Sequence, residues 1–204
     1  MVSGKTQQFL DLARVPKRYR DFDASLLPED EAYVHTIARI REDLAAFIRE
    51  GAGVLMWGAY STGKTALACW LLKRVAEEDF VPRFGFTCLF VACREVATHI
   101  IEKTTFNTDQ TLIERMCATD LLVLDELLLN GPDSFKDLAV EEVIRHRVGE
   151  KKSTIITTNY SPKAIKEDFP ALAEPLRECC LLLNVKGKDF REAGAEELTK
   201  RWMS

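Results

Sequence analysis

The chain has 204 residues, 47% of them hydrophobic and 29% charged, which suits one domain with a full core, is short for two, and excludes disorder by composition. The net charge is −4, from 28 basic and 32 acidic side chains, so any DNA contact has to come from a local patch or from an oligomer that concentrates charge. No apolar run reaches the ~18 residues that span a bilayer, and the first residues lack the apolar stretch of a secretory signal, so we expect a cytoplasmic protein with no membrane partner.

Residues 1–29 read as a polar and aromatic lead-in containing Arg14-Val15-Pro16-Lys17-Arg18-Tyr19-Arg20. A helix is predicted from about Pro28 to Glu50, because Tyr33, Ile37, Ile40, Leu44, Phe47 and Ile48 fall at helical spacing; Gly51-Ala52-Gly53 stops it. Val54–Trp57 is a short apolar strand, and a Gly-containing loop leads to a helix over Lys64–Asp79. Thr87–Val91 is a second strand, with helices expected near Cys93–Lys103 and Thr108–Cys117. Leu121–Asp125 is a nearly unbroken apolar run, as expected when both faces of a sheet are covered. Phe135–Val148 is predicted helical and Ser153–Thr158 a β-branched strand. Short helices follow Pro162 and Pro170, and Leu181–Val185 is a last strand. Strands separated by helices imply parallel pairing in an α/β layered domain. The six cysteines, Cys69, Cys88, Cys93, Cys117, Cys179 and Cys180, lack zinc-ligand spacing and read as buried free thiols in a reducing compartment.

Chemistry concentrates in three stretches. Gly58-Ala59-Tyr60-Ser61-Thr62-Gly63-Lys64-Thr65 satisfies G-x-x-x-x-G-K-[ST], with a strand before it and a helix, opening on Lys64, Thr65 and Ala66, after it. In such a loop, backbone N–H groups and the helix N-terminus face the phosphates of ATP, Lys64 brings a charge to the β- and γ-phosphates, and the Thr65 hydroxyl coordinates Mg²⁺. Leu121-Leu122-Val123-Leu124-Asp125-Glu126 ends a buried strand on two acids, which is costly unless they are used or paired. Beside a phosphate loop, Asp125 suits the Mg²⁺ and Glu126 suits orienting and polarising the attacking water. Thr157-Thr158-Asn159-Tyr160 puts an amide at the carboxyl end of the next strand, where ligands bind in these sheets. Asn159 either holds the water or γ-phosphate there or forms a turn before Ser161-Pro162.

These motifs, in this order, resemble the AAA+ ATPases of the DnaC/IstB group, which holds bacterial and phage helicase loaders and the ATP-binding helpers of some transposons. The likeness runs from about Val15 to Arg191. Ala118-Thr119-Asp120 ahead of the acidic strand, Glu142–Val148, Ser153–Tyr160 and Val185-Lys186-Gly187-Lys188-Asp189-Phe190-Arg191 also carry it. The resemblance implies a P-loop NTPase with a five-stranded parallel sheet in the order 5-1-4-3-2, flanked by helices; the short stretch after the last strand and its Lys-Gly turn leads us to expect no substantial C-terminal lid domain. It divides the chain into a lead-in over 1–29, an ATPase domain over 30–191 and a short tail over 192–204. It implies an ATP-dependent oligomer, single-stranded DNA, and a replicative helicase or transposase as partners. It makes Asn159 the sensor-1 residue and Arg191 the sensor-2 arginine.

The sequence departs from that group in three places. Ser61 stands where the group has glycine, which requires a backbone angle open to a Cβ-bearing residue. Pro175 of Glu174-Pro175-Leu176 occupies the place of the group's arginine finger; Arg177, two residues on, is either its replacement or a solvated helix residue. Only about 30 residues precede the first predicted helix, too few for the separate helicase-binding domain that loaders carry. Phe9, Leu10, Leu12 and Val15 either dock a partner or pack on the core. Arg145 and Arg147, two apart on a helix and so on different sides, read as surface salt-bridge residues ahead of the alternative that one reaches a neighbouring subunit's nucleotide. Trp57, Trp70 and Trp202 read as packing residues ahead of base-stacking platforms. Lys151-Lys152 and Lys163…Lys166 are either solvated or set against a DNA backbone.

Overall fold

A computed structural model describes residues 4–24, 31–78, 85–96, 112–128 and 135–187. Helix α1 (Gly4–Leu12) and a 3-10 turn (Lys17–Tyr19) precede α2 (Ala32–Glu42) and α3 (Leu44–Arg49). Then come β1 (Gly53–Trp57), α4 (Lys64–Glu77), β2 (Cys88–Ala92), α5 (Leu112–Ala118) and β3 (Leu121–Leu127). They are followed by α6 (Phe135–Gly149), β4 (Ser153–Thr158), α7 (Pro162–Asp168), α8 (Pro170–Cys179) and β5 (Cys180–Asn184). The helix expected over Cys93–Lys103 and the start of that over Thr108–Cys117 lie largely outside the described residues.

The strands form one sheet in the order β2-β3-β4-β1-β5, with every pair parallel. Alternation explains the unbroken apolar runs. Leu121 and Val123 of β3 join Val54, Met56 and Ile155 in a core under α1 to α4. Leu122 and Leu124 join Leu55, Ile156, Leu89 and Val91 under α5 to α8. Each such buried aliphatic side chain contributes on the order of 2 kcal/mol, so the two-sided core fixes the strand register.

The single helix expected over Pro28–Glu50 is two. Asp43, at φ −133° and ψ 52°, breaks it, and its carboxylate accepts from the Ala46 N–H to cap α3. The apolar face continues across the break, which is why the periodicity hides it.

The lead-in packs on the core, with Leu10 and Val15 buried. Phe90 N–H of the edge strand β2 donates to the Ala13 carbonyl at 2.8 Å, and Arg14 pairs with Glu95. Arg20 donates to the Val15 carbonyl through Nε and Nη2 and to Asp11 through Nη1, folding the segment back on itself. An edge that would otherwise present unpaired backbone groups is thereby covered.

Arg147 is not a surface residue. It is fully buried, and its guanidinium donates to the Thr154 hydroxyl and to the carbonyls of Met116, Thr119 and Ser153. A cation at the C-terminus of α5 is favoured by the exposed carbonyls there. Burial still pulls its pKa down to about 10.

Candidate nucleotide site

The carboxyl ends of β1, β3 and β4 open on a cavity of about 370 Å³. One wall is the loop Tyr60–Gly63 with the first residues of α4, Lys64, Thr65 and Ala66; Glu126, Thr157, Thr158 and Asn159 form a second; Arg18, Tyr19, Asp21 and Phe22 of the lead-in form the third.

The loop's shape comes from three residues at positive φ: Gly58 at 145°, Ser61 at 61° and Gly63 at 93°. A Cβ on Gly58 would stand 2.4 Å from the Val185 carbonyl, so only glycine lets β1 hand over to the loop beside the end of β5. Ser61 holds the left-handed conformation with its Cβ, at a cost of about 1 kcal/mol. Lys64 is nearly buried, and its ammonium donates to the carbonyls of Gly58 and Ala59, curled inside the loop.

The acids are set by a bulge. Leu124 pairs with Ile156 and Leu127 with Thr158, so Asp125 and Glu126 together face Thr157. Glu126 takes the extra residue's conformation, at φ 54°. Thr157 serves both acids: its hydroxyl accepts from the Glu126 N–H at 2.9 Å and donates to Asp125 Oδ1 at 2.7 Å. Burial pushes the Asp125 carboxyl above its ordinary range, while hydrogen bonds from the Thr157 and Thr65 hydroxyls pull it back and the Glu126 charge pushes it up further. Glu126 is half-exposed and its Oε2 pairs with Arg94 Nη1 at 3.3 Å.

This donor set suits a phosphate chain with a divalent cation. Backbone N–H groups at the start of α4, one ammonium, one hydroxyl and the Glu126 carboxylate line one cavity, and the desolvated Asp125 carboxylate sits behind them, hydrogen-bonded to the Thr65 and Thr157 hydroxyls. Among the described residues no group of three or more His, Cys, Asp or Glu side chains is placed to hold a metal, so a cation here needs phosphate oxygens and water as further ligands.

The turn after β4 is built by the neighbours of Asn159. The Thr158 hydroxyl accepts from the Tyr160 N–H, and Ser161 caps α7 by accepting from the Ala164 N–H. Asn159 is left lining the cavity. Arg177 is not brought there; it is exposed on α8 and pairs with Glu174 at 3.4 Å. Arg191 lies outside the described residues, as does Trp202. Lys152 pairs with Asp120 at the opposite end of the sheet, and Lys163 pairs with Glu167 on α7. Sequence reasoning gave no role to Arg18, Tyr19, Asp21, Phe22, Arg94 or Thr157. The lead-in motif was visible, but nothing in it says that it folds across to the loop.

The pattern of the IstB-like ATP binding protein family matches residues 5–191. The chain belongs to that family. Among curated relatives, this IstB-like chain is 26% identical over 124 residues to the replicative helicase loader DnaI of Bacillus subtilis (strain 168), a match covering 59% of the chain and 37% of the relative. The chain thus spans little more than a third of that relative's length. Its fold matches the crystal structure of the DnaC helicase loader with a TM-score of 0.70 at 22% identity, over 84% of this chain and all of the other. It matches a replication initiator DnaA bound to AMPPCP and single-stranded DNA with a TM-score of 0.60 at 16% identity, over 90% of this chain and 54% of the other. The sheet order and these likenesses make the fold a P-loop NTPase of the AAA+ type. No helix among the described residues is long and apolar enough to cross a membrane.

Proposed function

We propose that this IstB-like chain hydrolyses ATP with Mg²⁺ and acts as a helicase-loader-like ATPase of DNA replication, binding single-stranded DNA as an ATP-dependent oligomer. The observation that carries the hydrolytic part is the Thr157 bridge, which ties the buried Asp125 carboxylate to the backbone of the half-exposed Glu126 that lines the cavity. The names of the relatives support the loader part.

Bound ATP supplies the γ-phosphoryl group that passes to water, and Mg²⁺ supplies charge that offsets its oxygens. The residues divide the remaining work. Lys64 and the N–H groups at the start of α4 bind the phosphates, within the loop shaped by Gly58, Ala59, Tyr60, Ser61, Thr62 and Gly63, with Ala66 behind. Thr65 and Asp125 hold the cation. Glu126 orients the attacking water and accepts its proton, and Asn159 holds that water or the γ-phosphate. Tyr19 and Phe22 offer apolar walls for the base, with Arg18 lying over the Tyr19 ring at 4.4 Å. Arg177 acts across a subunit boundary, where an arginine is worth orders of magnitude in turnover, and Arg191 reads the phosphates within the subunit.

A second reading, a nucleotide-sensing adaptor with little hydrolysis, draws on Pro175 within α8 and on Arg94 pairing with Glu126. A transposition helper is the third, from the family's name. ATP turnover per subunit, followed across protein concentration with and without single-stranded DNA, separates them. Turnover that rises with concentration and with DNA supports the loader reading; turnover at background while ATP still binds leaves the adaptor; stimulation by duplex DNA alone favours the transposition helper.

A further inference from the structure

Far from the phosphate loop, the structure assembles a pair of nucleophiles that the nucleotide chemistry does not use. Cys179 ends α8 and Cys180 opens β5, and their Sγ atoms lie 3.5 Å apart. Neighbours in a regular strand send their side chains to opposite faces. These two meet because the backbone changes from helical to extended between them, with Cys180 at φ −107° and ψ 132°. Both are partly exposed, whereas Cys69 and Cys93 are buried. Cys180 is seated on β1: a Cβ on Gly53 would stand 2.7 Å from its Sγ, so the strand leaves room for that sulfur only by carrying glycine.

The pair is chemically unequal. The hydrogen bond shared with Cys180 draws the Cys179 thiol below its ordinary range, against burial and the Glu178 charge, with the Arg147 guanidinium adding to the downward pull. The same bond, together with burial, pushes the Cys180 thiol well above its range. A thiol with more thiolate character attacks, and its neighbour resolves.

We propose that Cys179 and Cys180 form a thiol–disulfide exchange site whose substrate is a low-molecular-weight disulfide, with Cys179 attacking and Cys180 resolving. The Cys179 thiolate bonds to one sulfur of the substrate, the substrate's S–S bond breaks, and one thiolate leaves to take up the proton that Cys179 lost. Cys180 then gives its proton to solvent and attacks Cys179 Sγ, and the second substrate thiolate leaves and is protonated. Two protein thiols are oxidised to one disulfide, and one substrate disulfide is reduced to two thiols.

Closure has a structural consequence. A disulfide brings the sulfurs to about 2.05 Å, and neighbouring Cα atoms, ~3.8 Å apart, are closer than disulfides ordinarily span, so the ring is strained and excess monothiol reopens it. The Cys180 N–H makes the closing hydrogen bond of α8, to the Leu176 carbonyl, and Cys180 pairs with Gly53 at the start of β5. Ring closure pulls Cys180 out of that bond and loosens the joint between α8 and β5.

The experiment exposes the full chain, purified reduced, to oxidised glutathione, then quenches with acid and counts thiols in denaturant by alkylation and mass. The count is expected to fall from six to four, with a mass loss of two hydrogens mapped to Cys179–Cys180, restored by excess monothiol. The thermal midpoint is expected to drop by several degrees on oxidation. Cys180→Ser is expected to trap a glutathione adduct on Cys179, and Cys179→Ser to leave Cys180 unmodified. Retention of all six thiols in the wild type, an adduct that stops on Cys179 without closure, or modification confined to Cys117 each overturns the proposal; the mass measurement on wild type holds even if a variant fails to fold.

Discussion

Arg145 donates from Nη2 to the carbonyl of Ala171 at 2.7 Å, and Ala171 stands four residues before Pro175 inside α8. Proline has no N–H, so the Ala171 carbonyl has lost the partner that an α-helix would give it. The guanidinium of α6 supplies one from outside, while Nε of the same side chain pairs with Glu141 at 2.8 Å. Arg145 is thus more than the surface ion pair that its sequence suggests.

The coupling is measurable by a double-mutant cycle in urea. Arg145→Ala is expected to cost about 1 kcal/mol in the native background, most of it from the lost Ala171 bond, because the exposed Glu141 pair contributes only a few tenths. In a Pro175→Ala background the helix N–H returns, and the cost of Arg145→Ala is expected to shrink to that of the ion pair alone. Equal costs in both backgrounds would show that Arg145 does not substitute for the missing N–H.

Thr157 carries the second prediction. Thr157→Val keeps shape and β-branching but removes the acceptor of the Glu126 N–H and the donor to Asp125. ATP affinity is expected to hold within a few-fold while turnover falls by about ten-fold or more, and Thr157→Ser is expected to recover most of it. Nucleotide titration beside a phosphate-release assay reads both. Unchanged turnover in Thr157→Val would remove the bridge from the mechanism.

Two substitutions at the site itself sort binding from chemistry. Lys64→Ala is expected to abolish nucleotide binding. Glu126→Gln is expected to keep binding and stop hydrolysis, because an amide does not accept the proton of water. Equal turnover in Glu126→Gln and wild type would take Glu126 out of the proton transfer.

The central strands were legible because burial on both faces makes β1 and the first four residues of β3 almost wholly apolar, and Ser153–Thr158 falls where its β-branched run puts it. The phosphate loop and the acidic pair were legible because the residue types and spacing have few other uses. Contacts between distant segments were not. The fold of Arg18–Phe22 across the loop is long-range, and Thr157 looks in sequence like one more β-branched strand residue. The break at Asp43 is masked by an apolar face shared between α2 and α3. Arg147 sits two residues from exposed Arg145 on α6, and only the carbonyls of Met116, Thr119 and Ser153 make its burial tolerable.

That burial gives a stability prediction. Arg147→Met fills similar volume but leaves the Met116, Thr119 and Ser153 carbonyls and the Thr154 hydroxyl without their donor. Unsatisfied buried groups cost about 1–3 kcal/mol each before relaxation, so the loss is expected to exceed about 3 kcal/mol in urea unfolding. Arg147→Lys is expected to recover only part, since a point charge does not fork to acceptors on α5, the turn after it and β4 together. A loss under about 1 kcal/mol for Arg147→Met would mean that water or a shift of α5 replaces the guanidinium.

Ser61 tests what its left-handed backbone does to the nucleotide. Two effects of Ser61→Gly oppose each other in the free protein: relief of about 1 kcal/mol of strain at φ 61°, and a gain of similar size in unfolded-chain entropy. Global stability is therefore expected to change by less than about 1 kcal/mol. Binding isolates the local effect, because the unfolded chain is not part of that equilibrium. If the loop tightens around phosphate with Ser61 still at positive φ, the serine resists each adjustment and glycine does not. ATP affinity in Ser61→Gly is then expected to rise several-fold by calorimetric titration, with turnover at saturating ATP unchanged. An affinity equal to wild type would mean that the loop is already in its binding shape and that the strain is carried equally in both states.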